Sequence, residues 1–137
     1  MARVLIIDDD EMVRQSLDMI LSLKGWQTEL ADGGIDGIAK ARRNPPDLIL
    51  CDLNMHGMTG LETLAEIRKD AVLKSVPLVM MTGSEREEAE REALRQGAQA
   101  VLVKPFNVDQ LVQLAETHTS RRRRQGDPEP LGPSSAP

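Results

Sequence analysis

Five polar residues stand out because each follows a short apolar run. Asp8 and Asp9 follow VLII, Asp52 follows LILC, Thr82 follows LVMM and Lys104 follows AVLV. Carboxylates brought close together repel and raise one another's pKa, so a site holding all three needs a counter-charge. A hard divalent cation such as Mg²⁺ provides it. Mg²⁺ takes oxygen ligands, keeps some of its waters, and is held by one or two carboxylates together with phosphate oxygens. A lysine across the site can pair with a carboxylate or with an added phosphoryl group, and a threonine hydroxyl can hydrogen-bond that group. Aspartate is a competent nucleophile for an aspartyl-phosphate intermediate. Together these residues can perform Mg²⁺-assisted acceptance of a phosphoryl group.

That chemistry requires the five residues to meet, and the elements between them provide the means. VLII (4–7) is compact and apolar throughout, as expected of a strand buried on both faces. EMVRQSLDMILSLK (11–24) places Val13, Leu17, Ile20, Leu21 and Lys24 at helical spacing, and Gly25 stops it. WQTELA (26–31) reads as a second strand, and GIDGIAKARR (34–43) as a helix ended by Asn44-Pro45-Pro46. DLILCDL (47–53) is a buried strand. LETLAEIRKDAVL (61–73) is helical, with Leu61, Leu64, Ile67 and Val72 facing inward. PLVMMT (77–82) and AVLV (100–103) are strands, separated by a charged helix over 85–96 that Gly97 caps. A last helix covers 107–118, with Asn107 or Asp109 as its cap.

Five alternating strand–helix units imply an α/β domain: a parallel sheet with helices on both faces and right-handed crossovers. Five strands in this length suit the flavodoxin-like (βα)5 order 2-1-3-4-5, although pattern alone leaves a Rossmann-like order open. In either case ligands bind at the carboxyl ends of the strands, where all five residues fall.

Composition narrows the classes. A chain of 137 residues is long enough for one domain with a real core. That core must be aliphatic, since the aromatics are Trp26 and Phe106 with no tyrosine. A net charge of -5 gives no general reason to expect nucleic-acid binding. The single cysteine, Cys51, excludes an internal disulfide and fits a reducing compartment. The amino-terminal apolar run is too short for a secretory leader and no stretch approaches a membrane span, so a cytoplasmic location is expected. From Ser120 the composition turns Arg-rich and then rich in Pro, Gly and Ser. We read residues 1–119 as the folded domain and 120–137 as a disordered tail or the start of a linker. Arg121 to Arg124 suit the negative end of a helix dipole or a solvated tail. With no helix-turn-helix following them, direct nucleic-acid binding is not expected.

The segments IIDDDE, LILCDLNMHGMTGLE, VMMTGSE and LVKPF, in this order and each at a strand end, resemble the receiver domain of two-component response regulators, in the CheY-like superfamily. The resemblance covers roughly residues 2–118. It implies that Asp52 is the phosphoacceptor, charged by a sensor histidine kinase, a phosphotransfer protein or a small phosphodonor. It implies that Asp9 binds Mg²⁺ directly, Asp8 mostly through water, and Asn54 through its backbone carbonyl. Thr82 would hydrogen-bond the phosphoryl group and move toward it, and Lys104 would pair with it. The family's bond corresponding to Lys104-Pro105 is usually cis. The implied output is a repacked face of helix 4, strand 5 and helix 5, shown to a partner protein or to a second copy on phosphorylation. No turnover of an external substrate is implied. Many receivers carry Tyr or Phe three residues before the lysine, as a ring that swings inward on activation. Here that position is Val101, so the output step must differ.

Plainer roles suit the other residues. Asp10 and Glu11 suit a helix start, Cys51 a small packed hydrophobe, His56 an exposed loop histidine, with a place at the mouth of the site as the alternative, and His118 a helix end. Met80 and Met81 read as packing, and Trp26 as cover for a sheet edge. The charged helix over 85–96 is either a solvated face with i,i+4 pairs or the docking surface. Asn54 and Ser84 flank the site and should influence hydrolysis. Three alternatives stand beside the switch reading. The chain is a receiver fragment of a longer regulator or hybrid kinase, or a degenerate receiver that only binds, or an Mg²⁺-dependent aspartyl phosphatase of the haloacid-dehalogenase type. The last would carry a second aspartate two residues past the nucleophile, where this chain has Asn54.

Overall fold

The computed structural model describes residues 2–83 and 87–126. Each apolar run forms a strand: β1 (Arg3–Ile7), β2 (Gln27–Ala31), β3 (Leu48–Asp52), β4 (Leu78–Thr82) and β5 (Ala100–Val103). The helices between and after them are α1 (Glu11–Leu23), α2 (Gly34–Arg43), α3 (Gly60–Lys69), α4 (Glu87–Arg95) and α5 (Val108–Gly126). All strand pairs are parallel, in the order β2-β1-β3-β4-β5. This is the flavodoxin-like order, and it excludes the Rossmann-like one.

Alternation along each strand divides the core into two layers. Leu5, Ile7, Ile49, Cys51, Leu78 and Met80 enter the layer that also holds Ile38, Leu64 and Ile67 from α2 and α3. Val4, Ile6, Leu48, Leu50, Val79 and Met81 enter the other, with Leu17 and Leu21 from α1 and Leu111 and Ala115 from α5. Burial of each such aliphatic side chain is worth about 1.5–3 kcal/mol. Trp26 closes the second layer between α1 and the edge strand β2.

Three helix features follow from local chemistry. Asp10 caps α1, accepting from the Met12 and Val13 amides. Asn107, not Asp109, caps α5: its Oδ1 accepts from the Gln110 amide while Gln110 Oε1 accepts from the Asn107 amide. Gly25 and Gly97 take the left-handed backbone, with φ of 96° and 111°, just past α1 and α4.

The sequence expectations for two helices need correction. The third helix ends at Lys69 rather than at residue 73. Asp70 Oδ1 captures the Val72 and Leu73 amides, which diverts the chain into a turn. Leu73 and Val76 are thereby buried, and Val72 is 60% exposed instead of facing inward. The last helix runs past 118 to Gly126, because Arg and Gln are good helix formers and no breaker precedes that glycine. His118 is accordingly a buried residue within the helix rather than its end. The rest of the expected tail, residues 127–137, lies outside the described residues, as do Ser84 and positions 85 and 86 of the charged helix.

Candidate functional site

The site is built where the strands leave the core. Asp8 and Asp9 lie just past β1. The Asp8 amide donates to the Ala31 carbonyl, and Asp8 Oδ1 accepts from the Asp10 amide at 2.9 Å. Arg14, in the first turns of α1, reaches back to the Asp8 carbonyl at 2.6 Å. The β1–α1 turn is therefore held by the strand beside it, by its own aspartate and by the helix it leads into.

Asp52 is the last residue of β3. A Cβ at Gly60 would lie 2.4 Å from the Asp52 carbonyl oxygen, so α3 can begin this close to β3 only with glycine there. Thr59 and Glu62 form a capping box that fixes the start of α3. Thr82 ends β4 and is fully buried, and the Lys104 amide donates to its carbonyl at 2.7 Å. Lys104 follows β5, and its bond to Pro105 is cis.

One oxygen from each of Asp8, Asp9 and Asp52 lies within 4.8 Å of the others. Among the described residues no other set of three His, Cys, Asp or Glu side chains converges in this way. Lys104 Nζ sits 3.1 Å from Asp52 Oδ1 and 3.4 Å from Asp8 Oδ2. Asp8 is 1% exposed and Asp52 6%. Burial, with the Asp8 carboxylate beside it, pushes the Asp52 carboxyl up in pKa despite the Lys104 ammonium. Burial pulls the Lys104 ammonium down, but Asp52 and Asp8 outweigh it and hold the lysine above its usual range. One ammonium against three carboxylates leaves the pocket short of positive charge. The donors are hard oxygens that converge on one point, a set that fits Mg²⁺.

The other expected residues fall as follows. Asn54 is exposed on the loop two residues past Asp52. Val101 pairs in register with Met80 and packs partly buried against the first core layer. Cys51 is fully buried, and burial together with Asp52 and Asp8 pushes its thiol far up. It stays a protonated core residue.

Two residues reach the acidic turn in ways the sequence reading did not assign. His56, expected as an exposed loop histidine, is indeed exposed, yet its amide and its ring Nδ1 both lie 2.9 Å from Asp9 Oδ2. The amide bond in particular holds the Asp9 carboxyl below its ordinary range. Arg14 is the other. His56 reaches the acidic turn through tertiary folding, whereas Arg14 folds back onto it from six residues away.

Compared with known proteins, residues 4–116 match the family model for the response regulator receiver domain. The chain is 35% identical over 112 residues to protein PilH of Pseudomonas aeruginosa, which covers 82% of this chain and 93% of that one. It is 35% identical over 123 residues to the transcriptional regulatory protein ZraR of Salmonella typhimurium, covering 90% of this chain and 27% of that relative. Among solved structures it resembles chemotaxis protein CheY4 of Vibrio cholerae, with a TM-score of 0.81 and 35% identity over 85% of this chain and 98% of that one. NtrX from Brucella abortus aligns with a TM-score of 0.84 and 30% identity over 91% of this chain and 29% of that one.

Proposed function

The chain belongs to the response regulator receiver family, and from that premise we propose that it is a phosphorylation-dependent signalling switch whose acceptor is Asp52. The observation that carries this reading is the meeting of three carboxylates and Lys104 at the carboxyl ends of β1, β3 and β5.

In the proposed reaction an Asp52 oxygen attacks phosphorus in line with the leaving atom. The P–N bond of a phosphohistidine on a kinase or phosphotransfer protein breaks, or the P–O bond of a small phosphodonor. Asp9 would hold Mg²⁺ directly, Asp8 through water, with Asp52 and the Asn54 carbonyl completing the protein's share. The bound cation would supply positive charge to the phosphoryl oxygens. Lys104 Nζ, already 3.1 Å from Asp52, transfers its pairing to the new phosphoryl group. The Thr82 hydroxyl turns to hydrogen-bond that group, and the loop after β4 follows. Attack of water on the acyl phosphate later releases inorganic phosphate and returns Asp52; beyond the phosphodonor and water, no substrate is turned over in this reading.

The output in this reading is the α4–β5–α5 face. An open groove of about 940 Å³ lies along the β5 and α5 part of it, lined by Gly83, Val101, Val103, Gln113 and Leu114 among others. Val103, Val108 and Leu94 are exposed large apolar side chains of the same elements. With valine at position 101, the readout rests on shifts of loop and helix rather than on a swinging ring. Partners of this switch are a sensor histidine kinase or phosphotransfer protein upstream and an output protein or a second copy of the chain downstream. Both a stand-alone regulator and a receiver joined to further domains agree with relatives of which the chain spans 93% and 27%. In either case we take residues 1–119 as the receiver unit. No helix among the described residues is long and apolar enough to cross a membrane, which supports action from the cytoplasm.

The test is intact mass after incubation with acetyl phosphate and Mg²⁺, beside Asp52→Asn. Gain of one phosphoryl group by the unsubstituted protein, absent in the variant and without Mg²⁺, is the expected result. No gain, together with amide NMR shifts unmoved by beryllofluoride and Mg²⁺, would overturn the switch.

A further inference from the structure

We propose that His56 is a positioning residue of the cation site, a two-donor clamp that orients Asp9; this rests on the receiver reading above. The three carboxylates are restrained by different donors. Lys104 reaches Asp8 and Asp52. Asp9 is instead restrained from the β3–α3 loop, where the His56 amide and ring Nδ1 both lie 2.9 Å from the single oxygen Oδ2. A carboxylate only accepts, so Nδ1 carries the proton in this contact.

Two donors at a fixed separation, one on the main chain and one on the ring, restrict the rotation of the carboxylate as well as its position. The Oδ1 oxygen is left to the site. The ring is fully exposed, so core packing does not hold it in place; the bond to Asp9 does. The loop is shaped for this contact. Gly57, immediately after His56, has φ of 75° with open space where a Cβ would stand. Its left-handed backbone, rather than crowding, is what calls for glycine. Partners behind a metal ligand typically orient it and raise its affinity, and their loss costs roughly 10- to 100-fold. An exposed hydrogen bond sits at or below the low end of that range.

The clamp is measured by titrating the full chain with Mg²⁺ alone, by calorimetry and by amide NMR of residues 9 and 56. The set is the unsubstituted protein, His56→Ala, His56→Asn and His56→Gln. The Asn amide nitrogen stands where Nδ1 stands, whereas the longer Gln side chain places its nitrogen nearer Nε2. We expect His56→Ala and His56→Gln to weaken Mg²⁺ binding about three- to tenfold and His56→Asn to restore it to within about twofold. The metal-free melting temperatures of all four should agree, because residue 56 is outside the core. Equal affinities across the set, tighter binding by the Ala variant, or a loss that Asn does not restore would each overturn the clamp while leaving the receiver reading intact. Absence of any Mg²⁺ response in the unsubstituted protein would overturn the cation site itself, and the clamp with it.

Discussion

The two ends of the sheet are both rich in charge, yet they resolve it in opposite ways. At the amino end, Arg3 donates its amide to Asp47 and its guanidinium to Glu29 and to the carbonyls of Asn44 and Pro45, and Arg43 adds a second contact to Glu29. Two arginines meet two carboxylates, and loose carbonyls before β3 are bonded as well. At the carboxyl end, three carboxylates face one lysine. The first arrangement is complete within the chain and serves the fold. The second is not balanced within the chain, which agrees with the proposed cation and phosphoryl group. An unbalanced cluster at one strand end, beside a balanced one at the other, separates a working site from a structural one more clearly than charge content does.

The sharpest way to break this comparison is Asp8→Asn. Asparagine keeps an acceptor for the Asp10 amide, so the turn should hold, while the pocket loses one negative charge. Mg²⁺ affinity should fall by about 10- to 100-fold, with phosphoryl uptake falling alongside, while the metal-free protein melts no lower than the parent. Calorimetry with Mg²⁺ and a thermal melt check the two halves. A lower melting temperature would mean that the cluster serves the fold after all.

Arg3→Ala tests the opposite end. It removes three guanidinium hydrogen bonds and should cost about 1–2 kcal/mol in urea unfolding. It should leave Mg²⁺ affinity and phosphoryl uptake unchanged. A change in either would show that the two ends are coupled.

The smallest effect is a pH slope. Burial and Asp8 raise the Asp52 carboxyl above its ordinary value of 3.8, so the folded state holds this proton more tightly than the unfolded chain does. Metal-free stability should therefore decline as pH rises from 3.8 through the raised value, and remain at that lower level above it. Asp9 acts in the opposite direction: its lowered carboxyl contributes stability above 3.8 that is lost as pH falls through its folded value. Asp52→Asn should remove the first slope and leave the second, raising the melting temperature at neutral pH by a few degrees.

Much of this was legible in the chain because it is local. An apolar run that stops at a charged or hydroxyl residue marks both a strand buried on two faces and the place where it leaves the core. Four such stops located Asp8, Asp9, Asp52, Thr82 and Lys104. Local reading failed where one side chain overrode the pattern. Val72 lies at inward spacing, but Asp70 captures two amides and turns the chain before that spacing applies. The last helix also outruns its pattern, continuing to Gly126 past the expected end at residue 118.

By itself, then, the sequence determined the five strands, the residues at their ends and the kind of chemistry they support, since each depends on neighbours two to four positions away. Tertiary structure settled which of the two orders left open by the pattern is present, the flavodoxin-like one already expected, which places β1 between β2 and β3 and so brings Asp8 beside Asp52. It also decided that His56 closes on Asp9, 47 residues away in the chain. The physical reason is that contacts of this reach are fixed by which faces pack together and how loops return, and no spacing of residue types along the chain encodes them.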